Sequence, residues 1–230
     1  MTFTGVGLSV ASGLKAFRGA GGLYEGRSAY ELASPEGFQA DPVLVWNWYL
    51  ERARQVVQAK PNPAHHALAK LEKLAFLSII VTSNVDNLHE STFLRFLYKL
   101  HGNILEKFCT RCGKVCGLLC ECEPKTYTLE TLPRCSCGGL QRPNVVWFGE
   151  HPREEAINAV RAYLPQVELV LEVGTSGAVS YGFTELAVAL GKTVVRINPE
   201  PAPQPGVFEL VAKAEEVLPE LVRLCEGGPS

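Results

Sequence analysis

Short apolar runs along the chain predict three buried β-strands. They cover residues 77–82, 167–173 and 193–198, and a polar or glycine-rich turn follows each of them. Apolar runs of this length, bounded by turn residues, are typical of strands that are covered on both faces. The chain also begins almost inside a further strand, directly before a glycine motif.

Four segments between and around these runs predict helices. In residues 41–58, Val45, Tyr49 and Val56 belong to a set of side chains that recur at steps of three and four, and prolines soon end the segment. The other helices are expected at residues 63–73, 154–163 and 183–190. Strands that alternate with helices predict an α/β fold, in which helices cover both faces of a parallel sheet.

Polar residues follow several of the predicted strands. In open parallel sheets, ligands bind at the carboxyl ends of the strands. Residues 4–9, 83–86, 174–176 and 198–200 are therefore expected to form one surface, although they are far apart in the sequence.

A cysteine cluster separates two parts of this α/β pattern. Seven of the eight cysteines lie between Cys109 and Cys137, which indicates metal binding rather than a disulfide framework. Cys109 and Cys112 form one close pair, and Cys135 and Cys137 form another, so four thiolates can make a closed tetrahedral site for one structural Zn²⁺. The remaining members of the cluster, Cys116, Cys120 and Cys122, are geometric alternatives to one of the four.

Composition and charge exclude several classes of protein. The chain has 230 residues, of which 47% are hydrophobic, and this is enough for one sizeable core and a small second module. The formal net charge of -2, with scattered Lys and Arg, argues against a nucleic-acid binder. No apolar run is long enough to span a bilayer, and no secretory signal is visible. We therefore expect a soluble, cytoplasmic protein without a membrane partner.

Two motifs carry candidate chemistry. Gly5-Val6-Gly7-Leu8-Ser9 could hold a pyrophosphate through free amides at a helix start, but its spacing fits a plain strand-to-helix turn equally well. Asn84 and Asp86 follow a strand and can hold a polar ligand, and His101 can take a proton from a hydroxyl. The other four histidines, His65, His66, His89 and His151, are expected to be surface or packing residues.

Taken together, the motifs resemble those of the sirtuins in order and spacing. They are Gly5 to Ser9, Phe17-Arg18-Gly19, Asn84-Val85-Asp86, Leu100-His101-Gly102, the two cysteine pairs, Arg142 to Glu150, Gly174-Thr175-Ser176 and Ile197 to Glu200. The resemblance covers nearly the whole chain, and Val146-Trp147-Phe148-Gly149-Glu150 is its most specific part.

The resemblance implies a Rossmann-like part and a smaller zinc-bearing part with NAD⁺ bound between them. The Rossmann-like part would comprise about residues 1–30, 75–105 and 145–230, and the small part would comprise helical residues 31–74 and a zinc module at 106–144. The implied cofactor-binding residues are Gly5, Val6, Gly7, Ser9, Phe17, Arg18, Ser83, Asn84, Asp86, Gly174, Thr175, Ser176, Asn198, Glu200 and Ala214. The catalytic set is His101, Asn84 and Asp86.

The resemblance also implies the reaction and its substrate. Sirtuins transfer the acyl group of a modified lysine to ADP-ribose, with His101 here as general base on a ribose hydroxyl, and release nicotinamide and O-acyl-ADP-ribose. Tyr49 and Arg52 share one helix face and resemble the Tyr-x-x-Arg signature of class III sirtuins, which remove succinyl and malonyl groups. Further substrate-binding residues would be Ala33, Val146, Trp147, Phe148 and Gly149, the last four beside the acylated peptide.

Several residues depart from the family pattern. Val6 replaces an alanine, Ser83 replaces a glutamine, and Ser180-Tyr181 replaces a Tyr-Pro pair. Glu172 lies inside an apolar strand, where a carboxylate is costly unless it is paired. The function predicted is an NAD-dependent, monomeric lysine deacylase that acts on succinyl, malonyl and acetyl groups. The alternatives are a plain deacetylase, a mono-ADP-ribosyltransferase, or an acyl-lysine-binding module with weakened catalysis.

Overall fold

Strands and helices alternate along most of the chain. A computed structural model describes residues 1–16, 26, 28–118, 125–175 and 181–227. The elements in chain order are β1 (Thr2–Thr4), α1 (Gly7–Val10), α2 (Ala29–Leu32), α3 (Pro35–Ala40), α4 (Pro42–Gln58), α5 (Pro63–Lys73), β2 (Ile80–Thr82), β3 (Leu97–Lys99), β4 (Gly102–Cys109), β5 (Val115–Leu118), β6 (Gln141–Val145), α6 (Glu154–Tyr163), β7 (Leu169–Val173), α7 (Phe183–Ala189), β8 (Thr193–Asn198), β9 (Val207–Val211) and α8 (Ala214–Gly227).

Six of the strands form the main sheet, in the order β3-β2-β1-β7-β8-β9, and every neighbouring pair is parallel. The predicted strands correspond to β2, β7 and β8, and the predicted helices to α4, α5, α6 and α7. Strands β3 and β9 and helix α8 were not predicted. The Rossmann-like α/β class is confirmed.

Alternate side chains along each central strand enter two separate cores. Ile80 points to one face, where it packs with α5 and α8, including Leu68 and Leu218. Its neighbour Val81 points to the other face, where it packs with α6 and α7. This alternation explains why the strands are apolar throughout, because helices cover both faces of the sheet.

Glu172 on β7 is buried and fully paired. Arg196 lies directly opposite it on β8, and its Nε and Nη2 are 2.8 and 2.7 Å from Glu172 Oε2. The Thr184 hydroxyl donates to the other carboxylate oxygen. The arginine also donates through Nη1 to the Ala202 carbonyl and through Nη2 to Gln204 Oε1, at 2.5 and 2.7 Å. The requirement that Glu172 be paired is therefore met.

A second, antiparallel sheet has the order β5-β4-β6 and packs against α4. The indole of Trp46 on α4 donates to the Gln141 carbonyl at 2.8 Å, which ties the helix to β6. Among the described residues, no helix is both long and apolar enough to cross a membrane.

Two buried histidines lie beneath the carboxyl edge of the main sheet. The rings of His65 and His89 are 5.1 Å apart. His65 Nδ1 accepts from the backbone amide of Asn62 at 3.3 Å, and His89 Nε2 contacts Thr4 Oγ1 at 2.9 Å. His66 and His151 are exposed, so all four histidines are packing or surface residues as predicted. Burial lowers the pKa of His65 to about 4 and that of His89 to about 3.

We expect the protein to lose stability as the pH falls below about 6.5. Between that pH and the pKa values of the folded state, only the unfolded chain takes up protons at His65 and His89. At pH 5 the free energy of unfolding should be lower than at pH 7.5 by about 2 kcal/mol for each histidine. Urea denaturation at both pH values measures this loss.

The variant His89→Gln, which retains a group able to reach Thr4, should reduce the loss of stability between pH 7.5 and pH 5 by about 2 kcal/mol. His66→Gln is the matched control, because His66 is exposed on the same helix as His65. An equal pH dependence in His89→Gln and wild type would show that the buried imidazole is not responsible.

Candidate active site

The candidate cofactor residues meet at the carboxyl edge of the main sheet. Gly5 follows β1, Ser83 follows β2, Gly174 follows β7, and Asn198 ends β8. Because these strands are parallel neighbours, their ends lie side by side. The single surface expected from the strand pattern is therefore present in the fold.

The glycine turn packs against a second turn from the far half of the chain. A Cβ on Gly7 would lie 2.7 Å from the Gly174 carbonyl oxygen, and one on Gly5 would meet the same atom at 2.7 Å. The amides of Gly5, Gly7, Leu8 and Ser9 all donate within the protein. The expectation that these amides are free to bind an anion is therefore wrong for those four. The glycines instead allow the two backbones to approach each other closely.

Ser9, Asn84 and Asp86 form one buried hydrogen-bonded group. Ser9 Oγ donates to Asp86 Oδ2 at 2.9 Å and accepts from Asn84 Nδ2 at 3.2 Å. The backbone amide of Leu88 donates to Asp86 Oδ1 at 3.0 Å. Burial raises the pKa of Asp86, while the hydrogen bonds from Leu88 and Ser9 oppose this change. Asn84 Oδ1 is buried and has no partner among the described residues, so it can accept from a ligand.

His101 lies just beyond β3 and has a polar contact at each ring nitrogen. Nδ1 is 3.0 Å from the Ser83 carbonyl oxygen, and Nε2 is 2.7 Å from Tyr181 Oη. Burial lowers the pKa of His101, and the Ser83 carbonyl partly offsets this. The Ser83 hydroxyl itself donates to the Thr4 carbonyl at 3.1 Å. The sequence singled out Tyr181 only as a departure from the family pattern and did not predict this contact.

A cleft opens beside Asn84 and Asp86. Val6 and Arg52, both predicted site residues, line it as well. Other lining residues, which the sequence reasoning missed, are Leu14, Lys15, Gln55, Val56, Val85 and Ile104. Leu14 and Lys15 could have been suspected, because they follow the glycine turn directly.

Tyr49 and Arg52 lie on the same side of α4 but in different surroundings. Tyr49 is buried, and its hydroxyl accepts from Trp147 Nε1 at 2.8 Å. Arg52 lies over the ring of Trp48, and its Nη1 pairs with Glu51 Oε2 at 3.0 Å. The Nε of Arg52 is buried without a partner among the described residues. Arg52 is thus a mostly buried cation with an unused donor, rather than an ordinary surface arginine.

The segment from Val146 to Gly149 is held closely to the protein. The amide of Val146 donates to the His101 carbonyl and that of Phe148 to the Ala33 carbonyl, each at 2.9 Å. The amide of Trp147 donates to Glu150 Oε2 at 2.8 Å. A peptide strand beside this segment would have to pair through other backbone groups. Trp147 is also a core side chain, packed beneath Arg142, so its indole does not face a substrate.

The remaining predicted residues divide into two groups. Asn198 ends β8, Glu200 follows it, and Thr175 follows β7. Buried Ala214 begins α8 at the same edge of the sheet. Asn198 Nδ2 donates to the Glu200 carbonyl at 2.8 Å. Phe17, Arg18 and Ser176 lie outside the described residues.

Four cysteines converge beside the small sheet. The sulfur atoms of Cys109, Cys112, Cys135 and Cys137 all lie within 4.8 Å of one another, which fits a tetrahedral four-thiolate Zn²⁺ site. Cys116 is not part of this group, and Cys120 and Cys122 lie outside the described residues. A closed four-sulfur shell leaves no open coordination position, so this centre is structural.

Residues 5–181 of the chain match the Sir2 family. The chain belongs to the Sir2 family. Among its relatives, an NAD-dependent protein deacylase of Pyrococcus furiosus is 42% identical over 228 residues, covering 96% of this chain and 91% of the relative. NAD-dependent protein deacylase 1 of Pseudomonas aeruginosa is 42% identical over 229 residues, covering 96% and 92%.

Solved structures of Sir2 proteins have the same fold as this chain along its whole length. A Sir2 homologue in complex with NAD has a TM-score of 0.88 at 34% identity, covering 100% of this chain and 90% of the other. A Sir2 variant with a deacetylated p53 peptide and 3′-O-acetyl-ADP-ribose has a TM-score of 0.80 at 28% identity, covering 100% and 93%.

Proposed function

We propose that this Sir2 family member is an NAD-dependent protein-lysine deacylase that prefers succinyl, malonyl and other acidic acyl groups and retains deacetylase activity. The observation that carries the proposal is that Asn84, Asp86 and Arg52 line one cleft, with buried Ser9 hydrogen-bonded to the first two. The names of the relatives and the ligands of the solved structures support the NAD-dependent reaction.

The cofactor side of the cleft fits a polar ligand with a carboxamide. Asn84 Oδ1 is a buried acceptor without a partner among the described residues, and the Asp86 carboxylate is held beside it by Ser9. When bound, NAD supplies the anomeric carbon that receives the acyl oxygen as nicotinamide leaves. Asn84 and Asp86 would orient the nicotinamide end, whereas Gly174, Thr175, Asn198, Glu200 and Ala214 would lie along the adenosine end.

His101 is suited to act as the general base. Its Nδ1 faces a carbonyl, which only accepts hydrogen bonds, so Nδ1 carries the proton and Nε2 carries the lone pair. Because burial lowers the pKa of His101, the imidazole is neutral at physiological pH. Nε2 can therefore take a proton from a ribose hydroxyl once Tyr181 gives up its contact.

The preference for acidic acyl groups rests on Arg52. Arg52 lines the cleft, and its buried Nε has no partner among the described residues. A carboxylate on the acyl chain would satisfy that donor and compete with Glu51 for the guanidinium. Tyr49, held by Trp147, would contribute a phenol from the adjacent turn of the helix.

We also propose the division into a Rossmann-like part at about residues 1–30, 75–105 and 145–230 and a small part at 31–74 and 106–144. The large parallel sheet and the small antiparallel sheet support this division.

Mass spectrometry of succinyl-lysine and acetyl-lysine peptides, incubated with and without NAD, tests the function. We expect free lysine, nicotinamide and O-acyl-ADP-ribose only when NAD is present. ADP-ribose attached to a protein or peptide would instead indicate a transferase. No turnover, together with no calorimetric binding of NAD at millimolar concentration, would indicate a binding module.

Arg52→Met should lower kcat/KM for the succinyl peptide by about tenfold to a hundredfold, because a charge-assisted hydrogen bond is lost. Activity on the acetyl peptide should change less than about twofold, since an acetyl group offers no carboxylate. Steady-state kinetics on both peptides measure the ratio.

Arg54→Met is the matched control, because Arg54 lies on the same helix and donates to the Lys125 carbonyl outside the cleft. Equal losses on both peptides in Arg52→Met would eliminate the carboxylate clamp and leave a plain deacetylase.

A further inference from the structure

Tyr181 occupies the one nitrogen of His101 that the reaction needs. Its hydroxyl oxygen lies 2.7 Å from Nε2, and the two rings meet edge to face with centroids 5.8 Å apart. Since the Ser83 carbonyl at Nδ1 can only accept, the phenol must donate to Nε2. This O–H···N contact has the same donor and acceptor types as the contact expected of a ribose hydroxyl.

The backbone and the neighbouring rings hold Tyr181 in this place. Its φ of +50° is a left-handed conformation that is unusual for a bulky residue. Its ring packs against Phe183 at 6.1 Å, and Phe183 stacks on Phe3 at 5.5 Å. An aromatic row therefore runs from the core of the sheet to the imidazole, and Tyr181, although 43% exposed, packs against this row.

Charged groups nearby are engaged elsewhere. Lys99, at the end of β3, donates to the Asp86 carbonyl and pairs with Glu90. Arg153, which packs near Gly102, donates to Asn144. The hydrogen bonds of the His101 imidazole within the described residues are thus those to Ser83 and Tyr181.

We propose that Tyr181 is a positioning residue for the base. Its hydroxyl holds His101 in the reactive tautomer in the free enzyme and yields Nε2 to the ribose hydroxyl when the cofactor binds. This inference rests on the proposed function. Tyr181 then affects the binding of NAD and the state of His101 in the free enzyme, but not the chemical step.

Tyr181→Phe separates these effects. A donor to the Nε2 lone pair stabilises the neutral imidazole, so its loss should raise the pKa of His101 in the free protein by about half a unit to one unit. NAD should bind about threefold to tenfold more tightly, because no phenol has to be displaced. The pH below which kcat/KM falls should rise. The value of kcat, and the pH below which kcat falls, should stay unchanged.

NMR titration of the histidine rings measures the first effect without any turnover, with His101 assigned as the signal missing in His101→Gln. Calorimetric titration with NAD and steady-state kinetics with the succinyl peptide measure the others. Tyr163→Phe, on α6, is the matched control and should behave as wild type.

Two results would overturn the inference. One is a His101 pKa in Tyr181→Phe equal to that of wild type. The other is a fall in kcat instead of the unchanged kcat expected here, which would assign Tyr181 to the chemical step or to the fold. If the wild type releases no nicotinamide, the proposed function fails, while the NMR titration still decides whether Tyr181 sets the state of His101.

Discussion

Arg196→Met should lower the free energy of unfolding by about 3–5 kcal/mol, because it leaves the Glu172 carboxylate buried without a cation. Both side chains of the pair are only 2% exposed. The carboxylate would keep its hydrogen bond from Thr184, but this neutral group cannot replace a cation. Urea or thermal denaturation of the variant measures the loss.

The double variant Glu172→Leu with Arg196→Met should recover part of this stability, because no uncompensated charge remains. Arg223→Met is the control, since Arg223 pairs with Glu220 in an exposed ion pair on α8 and its loss should cost at most about 1 kcal/mol. Similar costs for Arg196→Met and Arg223→Met would contradict the importance of the buried pair.

His101→Ala should reduce kcat by about 10²–10⁴-fold, the usual contribution of a general base. The imidazole is half-buried at the carboxyl edge of the sheet, with Nε2 as its acceptor nitrogen. No other histidine can replace it, since His65 and His89 are buried beneath the sheet edge, whereas His66 and His151 are surface residues. Nicotinamide release by the variant measures the effect.

The fold of the His101→Ala variant is checked by circular dichroism and by its unfolding transition, and its cofactor site by NAD titration. His66→Ala, an exposed change on α5, should keep wild-type turnover. A His101→Ala variant that folds, binds NAD and keeps more than about a tenth of wild-type kcat would exclude this histidine as the base.

Much of the fold could be predicted because its elements have strong local patterns. The helix α4 shows a clear three-and-four periodicity, and β7 and β8 are apolar runs with turns behind them. The strand β3 is short and only partly buried, so its sequence carries little pattern. The strand β9 (VFELV) is as apolar as β7 (LVLEV) but lies mostly exposed at the edge of the sheet, so its apolar run does not reflect burial.

Parts of the candidate site were predictable for a different reason. The two cysteine pairs have ligand spacing, and their sulfur atoms do converge. The order of the glycine turn, Asn84, Asp86 and His101 resembled a known family, and the chain belongs to that family. The preference for acidic acyl groups remains a proposal, because neither the relatives nor the contacts of Arg52 identify the acyl group.

Local spacing along the chain encodes the alternation of strands and helices, the cysteine cluster and the types of residue available for chemistry. Three pairings depend on the fold as a whole: Arg196 neutralises Glu172, Gly7 packs against Gly174, and Tyr181 donates to His101. Those partners come together only through the order of parallel strands, since His101 and Tyr181 are 80 positions apart. Contacts at such separations depend on how whole elements pack, which no local pattern records.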